Sequence, residues 1–274
     1  MPASYQKQLA FLKRTAHRAG EVMRRYYGKE FGIYTKPDRS KVTDVDLAIS
    51  ELVQEAVRSS FSDIDLYSEE SENPPVDPAA SYFIIDELDG TSYLIEGTPG
   101  FSHQAAYYDG RSRQLEIGLV YYPIEDILLY AVRGQGAYLE QNGIAQLLPI
   151  RSGTPALETL RFAHPARYRG NRYWDLYEAL GITEGQVVMV TALRTLQLAR
   201  QELDVMLFLK PSIPFWDLSG EKVIVEELGF HHGYLNGAPV RFGEAPPPGN
   251  AGYLICPETI SVPLRQLILE QAAQ

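Results

Sequence analysis

Between residues 82 and 140 the chain runs as a series of short, apolar, β-prone segments, and no other stretch limits the fold as strongly. Tyr82-Phe83-Ile84-Ile85 is followed by segments at 103–108, 115–122, 127–133 and 136–140. Asp109-Gly110, Tyr122-Pro123 and Arg133-Gly134 lie at the breaks between them. Short segments joined by such turn pairs pair with their neighbours in sequence, so the spacing predicts an antiparallel meander.

The flanking regions read differently. Leu9, Leu12, Ala16, Ala19, Met23 and Tyr26 recur at three- and four-residue steps, which predicts an amphipathic helix over 5–27 ended by Gly28. Leu47, Ile49, Leu52, Ala56 and Val57 predict a second helix over 44–60. Residues 32–43, punctuated by Gly32 and Pro37-Asp38, suit a loop or short hairpin. The prolines of 73–81 make that stretch a loop. From about 157 onward the pattern alternates, with strands at 158–163, 186–190, 203–209, 230–235 and 251–255. Helices at 172–180, 194–202, 216–228 and 258–272 lie among them. Alternation of this kind implies an α/β lobe with a mainly parallel sheet. The expected fold class is therefore mixed: an α+β half over 1–150, rich in antiparallel pairing, and an α/β half over 151–274.

Bulk properties exclude several functional classes. No apolar run approaches the ~20 residues of a membrane-spanning helix. Met1 to Arg25 has no apolar core of a secretion signal. The single cysteine, Cys256, rules out an internal disulfide framework and a cysteine zinc site. Together these suit a cytoplasmic protein without a membrane partner. A net charge of −10 argues against a nucleic-acid polymer as partner, since such proteins need a basic face. Acidity does not exclude a small anionic substrate, because divalent cations held by carboxylates invert the local field.

Three acidic clusters follow strands or open helices: Ser68-Glu69-Glu70-Ser71, Asp86-Glu87-Leu88-Asp89-Gly90-Thr91 and Trp216-Asp217. Each alone has a plain structural reading, as a solvated pair, a turn with a helix cap, or an N-cap. Carboxylates at strand ends and helix starts also converge from distant parts of a chain, and Mg²⁺ requires such oxygen donors. Asp86 and Asp89 can face one metal across a turn, with the Leu88 carbonyl as a further oxygen. Gly90 permits close backbone approach, and the amides of Gly90, Thr91 and Ser92 would suit a phosphate.

Taken in order, these stretches resemble the inositol monophosphatase superfamily of magnesium-dependent, lithium-sensitive phosphatases. Val42-Thr43-Asp44-Val45-Asp46, Ser68 to Ser71, Ile85 to Thr91 and Phe215-Trp216-Asp217 carry the resemblance. Lys36-Pro-Asp-Arg-Ser40, Gly118 to Pro123, Gly134 to Ala137 and Val225 to Gly229 support it. The resemblance implies a layered αβαβα sugar-phosphatase fold and a homodimer. It assigns Glu69, Asp86, Asp89, Asp217 and the Leu88 carbonyl to metal binding. Asp46, Glu69 and Thr91 match the catalytic set that activates water, and Gly90, Thr91 and Ser92 match the phosphate cradle. About two or three Mg²⁺ ions would clamp a phosphate monoester for direct attack by water.

The chain departs from that pattern in places. Glu87 stands where the family usually has proline, and is expected to point outward. Ser92 replaces a common threonine or lysine and keeps a hydroxyl. Lys210 lies where inositol-preferring relatives carry an acid, and Arg194 sits in what is usually a small Gly-Ser-Ala run. Two cations beside a substrate pocket suit a second anionic group. The expected substrate is a small phosphorylated polyol or sugar. A 3′(2′),5′-bisphosphate nucleotide or fructose 1,6-bisphosphate is the rival, and a catalytically silent, metal-binding regulatory protein is the alternative of another class. His103, His164, His231 and His232 show no ligand spacing and receive no role.

Overall fold

The computed structural model describes residues 5–73, 75–165, 172–210, 212–248, 250 and 252–272. Residues 74, 211, 249 and 251, expected in loops, the pocket segment and a strand, lie outside that set. The chain divides into two compact units: Met1–Leu148 with Pro214–Ile224, and Pro149–Ile213 with Val225–Gln274.

In the first unit, α1 (Gln6–Tyr26) leads to a hairpin of β1 (Ile33–Thr35) and β2 (Lys41–Thr43), then to α2 (Asp44–Ser60). Thr43 caps α2 in a capping box, its side chain accepting from the Asp46 amide while Asp46 accepts from the Thr43 amide. Next come β3 (Ile64–Ser68), β4 (Ser81–Asp89), the short α3 (Thr91–Ile95) and β5 (Ser102–Asp109). β6 (Gln114–Tyr122), β7 (Ile127–Val132), β8 (Ala137–Gln141) and β9 (Ile144–Leu147) complete a seven-stranded sheet in the order β3 to β9. The expected meander is its antiparallel body, and β3 joins β4 in parallel. Leu12, Ala16, Met23, Ile49 and Val53 of the two helices pack on Phe83, Ile85, Ala105, Ile117 and Leu119 of one sheet face. Burial of these apolar stripes, at about 25 cal/mol per Å², is the main force holding helices and sheet together.

The second unit differs from its expected form. β10 (Phe162–Pro165), α4 (Arg172–Ala179), β11 (Val187–Val190), α5 (Arg194–Ala199) and β12 (Met206–Phe208) come first. β13 (Phe230–Tyr234), β14 (Tyr253–Pro257) and α7 (Ser261–Ala272) follow α6 (Trp216–Glu227), of which only the residues from Val225 onward belong to this unit. β10 and β11 are parallel, but β12, β14 and β13 form an antiparallel sheet, so pairing is not mainly parallel. The cause is connectivity. Among the described residues no helix lies between β13 and β14, and strands joined by a loop alone return antiparallel. The strand expected at 158–163 begins only at Phe162, because Leu157–Thr159 makes a 3₁₀ turn. The Gln186 amide donates to the Leu157 and Leu160 carbonyls and ties that turn down.

The division expected after residue 150 assigned Asp217 to the second half. Its segment, Pro214–Ile224, instead belongs to the first unit. Two glycines explain why. A Cβ on Gly118 of β6 would lie 2.6 Å from the Gly220 carbonyl oxygen, and one on Gly220 would meet the Leu119 carbonyl at 2.8 Å. The start of α6 therefore rests directly on the sheet face opposite α1 and α2. Gly118→Ala is expected to lower stability by about 1–3 kcal/mol in a denaturant melt, as overpacking does. Gly185→Ala, whose added methyl meets only the Thr183 hydroxyl at 3.9 Å, is the control expected to leave the melt unchanged.

Candidate metal centre

The ladder of β3 on β4 determines where the first two acids fall. Ser68 pairs with Ile85 in parallel register, and the Glu69 amide donates to the Ile85 carbonyl at 3.2 Å. Parallel strands finish at the same end, so Glu69 and Asp86 emerge side by side. The third acid comes from α6. The Trp216 ring packs on Tyr67 of β3 with centroids 5.7 Å apart, which brings Asp217 to the same place. Ligand atoms of Glu69, Asp86 and Asp217 all lie within 4.8 Å of one another. Two oxygens on one Mg²⁺ stand at most about 4.2 Å apart, so a small contraction suffices. The donor set is all carboxylate oxygen, which fits a hard divalent cation.

β4 does not end at Ile85 as expected. It continues to Asp89 through a bulge, with Asp86 opposite Gln104 and Asp89 opposite Ser102. The extra residue re-aims the side chains between those pairings. Asp86 Oδ1 accepts from the Leu88 amide at 3.1 Å, and Asp89 Oδ2 accepts from the Gln104 amide at 2.7 Å. Asp89 does not join the close group of three. Gly90 then turns the chain at φ +89, where a Cβ would sit 2.9 Å from the Gly100 carbonyl oxygen, so glycine is required. Thr91 and Ser92 open α3 directly after it.

Asp46 and Thr91 meet. Thr91 Oγ1 lies 3.3 Å from Asp46 Oδ1 and 3.1 Å from the Leu88 carbonyl, and donates to either. The other Asp46 oxygen is committed to Thr43, so the capping box holds this carboxylate in place. Burial raises the Asp46 pKa against the lowering effect of those Thr43 bonds. Arg194 and Lys210 belong to the second unit, Arg194 buried at the first residue of α5 and Lys210 exposed beyond β12.

Three features escaped the sequence. Lys36, between β1 and β2, donates to Glu69 at 2.9 Å and to Glu70 at 2.6 Å. Burial alone would lower its ammonium pKa, but the bonds to Glu70 and Glu69 hold it above the ordinary value. Glu87 does not point outward. It is 1% exposed, and burial pushes its carboxyl up to about 7. His103 lies fully buried with Nδ1 3.1 Å from the Glu87 carbonyl, and burial lowers its pKa to about 4, so the ring is neutral at pH 7. Glu87 carried a signal as an acid in an otherwise proline position, and Lys36 as the first residue of a stretch that supports the family resemblance.

Burial first, then the charges of Asp89, Glu69, Asp217 and Glu87, raise Asp86 well above the usual carboxylate range. A carboxyl raised on folding stabilises the fold at low pH, and that stability is lost as pH climbs from about 4 toward the raised value. In chelator, the melting temperature of the native chain is thus expected to fall with rising pH. Asp86→Asn should flatten that dependence and melt higher at pH 7. Mg²⁺ should raise the melting temperature of the native chain and not that of Asp86→Asn.

A family model, that of the inositol monophosphatase family, matches residues 4–263. The Nus factor SuhB of Pasteurella multocida (strain Pm70) is 36% identical over 127 residues, 45% of this chain and 46% of its own length. The 3′(2′),5′-bisphosphate nucleotidase CysQ of Aggregatibacter actinomycetemcomitans is 31% identical over 131 residues, 47% and 48% of the two chains. The chain thus spans about half the length of these curated relatives. A solved Thermotoga maritima IMPase superposes with a TM-score of 0.78 at 20% identity, over 97% of this chain and 98% of that one. At that identity the likeness is one of fold.

Proposed function

The chain belongs to the inositol monophosphatase family, and from that premise we propose that it is a Mg²⁺-dependent phosphomonoesterase of small phosphorylated polyols or sugars. The observation that carries this reading is the convergence of Glu69, Asp86 and Asp217, from β3, β4 and α6, on one point. So many acids together raise one another's pKa and favour a divalent cation there. In this reading Glu69, Asp86, Asp89, Asp217 and the Leu88 carbonyl hold the metal. When bound, Mg²⁺ supplies the charge that makes water nucleophilic and steadies a poor alkoxide leaving group.

The chain's own residues do the rest. Thr91 Oγ1 stands between Asp46 Oδ1 and the Leu88 carbonyl, so its lone pairs and its proton have fixed directions. Water placed against that oxygen gives up a proton to Thr91, whose own proton passes to Asp46. The amides of Gly90, Thr91 and Ser92 receive the phosphate, and the turn at Gly90 packs against the Gly100 carbonyl. Arg194 and Lys210 serve a second anionic group, which keeps bisphosphates as rival substrates. The protein acts in the cytoplasm as a homodimer in this reading.

The test is phosphate release from inositol 1-phosphate, fructose 1,6-bisphosphate and 3′-phosphoadenosine 5′-phosphate, with Mg²⁺ and with chelator. Activity is expected with Mg²⁺ only, and Asp217→Asn should lose at least about a hundredfold. Lys210→Glu should harm bisphosphates more than the monophosphate. Near-native turnover by Asp217→Asn would sink the assignment. The relative SuhB, named as a Nus factor, keeps the regulatory reading in view. Metal binding without hydrolysis of any ester would favour it.

A further inference from the structure

Asp86 and Glu87 are neighbours on β4 that serve opposite faces of the sheet. Asp86 shares its pairing position with Gln104, whose side chain lies against Gly220 of α6. Glu87 faces the other way, toward α2. Its carboxylate lies beside the hydroxyls of Ser50 and Ser68, and neither oxygen completes a hydrogen bond. Both serines are buried. They belong to a larger polar group: the Gln54 amide donates to Ser50 Oγ and Ser71 Oγ at 3.2 Å each, and the Ser68 and Ser71 hydroxyls are 2.8 Å apart.

The positions of these partners are telling. Asp46, Ser50 and Gln54 recur at four-residue steps and share one face of α2. Ser68 immediately precedes Glu69. Glu87 itself lies between Asp86 and Leu88. One enclosed carboxylate therefore stands where three elements meet, each carrying part of the metal centre. Hydroxyls rotate freely about the C–O bond, and Ser50 already accepts from Gln54, so its own proton is available to a carboxylate. A buried carboxyl whose two oxygens have no other partner gains most from such a hydroxyl, because leaving them unmatched away from water is costly.

We propose that Glu87 is a positioning residue of the metal centre, gathering Ser50 and Ser68 so that Asp46, Glu69, Asp86 and the Leu88 carbonyl keep their spacing. Where the family's proline stiffens the turn through its ring, this chain ties the same turn to α2 and β3 through a side chain. The proposal rests on the metal-centre reading above, and acts through the ligands rather than on substrate.

Three variants test it: Glu87→Ala, Glu87→Gln and the double variant Ser50→Ala/Ser68→Ala. Mn²⁺ binding is measured directly by electron paramagnetic resonance, and kcat and KM for a generic phosphate ester at saturating Mg²⁺. Glu87→Ala is expected to weaken Mn²⁺ binding about tenfold or more, as loss of support behind ligands does, with KM little changed. The double serine variant should do the same, and Glu87→Gln, which keeps an acceptor, should recover most of the affinity. If Glu87→Ala does not fold, the other two carry the comparison. Wild-type affinity in Glu87→Ala or in the double serine variant overturns the proposal, as does a loss confined to melting temperature. A native chain that binds no Mn²⁺ overturns the metal-centre reading instead.

Discussion

Ser68 and Ile85 face each other across the parallel pair that opens the seven-stranded sheet, and the chemistry of the first unit depends on that register. A slip of one residue would turn the side chains of β3 to the opposite face. Glu69 would then leave Asp86, and the apolar residues of β3 would exchange core for solvent. The hydrophobic core formed by α1 and α2 on the sheet thus enforces the alignment of two acids that repel each other. Burial of Phe83 and Ile85, both fully enclosed, holds the strand that carries the unfavourable charge.

The same economy recurs at Asp46. One of its oxygens closes the capping box at the start of α2, and the other meets Thr91. A residue that starts a helix is fixed by the helix's own geometry, so the Thr91 hydroxyl is oriented without extra structure. Gly118 and Gly220 play the corresponding part for Asp217. Without side chains at those positions, α6 approaches the sheet closely enough for its first turn to reach the acids.

Much of this was legible in the sequence. The meander, both N-terminal helices and the strands of the second unit announce themselves through periodicity and turn residues. The acids that converge, Glu69, Asp86 and Asp217, were recognisable because each follows a strand or opens a helix. What stayed hidden depends on partners distant in sequence. Periodicity does not say which neighbour a strand pairs with, so the antiparallel β12, β14 and β13 read as parallel. A bulge leaves no mark in composition, so β4 seemed to stop at Ile85 rather than Asp89. Lys36 looked like a loop residue until folding brought it to Glu69 and Glu70.

Glu87 shows why a local rule fails at such a place. An acid beside two acids should turn to water, and by that rule it points outward. The bulge leaves it no such choice: the side chain lies on the α2 face, where solvent is excluded and serine hydroxyls stand beside it. Enclosing a carboxylate costs several kcal/mol unless nearby dipoles or a counter-charge offset it. Ser50 and Ser68 supply dipoles on one side of β4, and a cation among Glu69, Asp86 and Asp217 would supply charge on the other. The two compensations reinforce each other, because a cation that lowers the pKa of Asp86 also favours the ionised form of its neighbour. A conflict that looks like an error in the sequence is therefore coherent with a centre built to hold a cation.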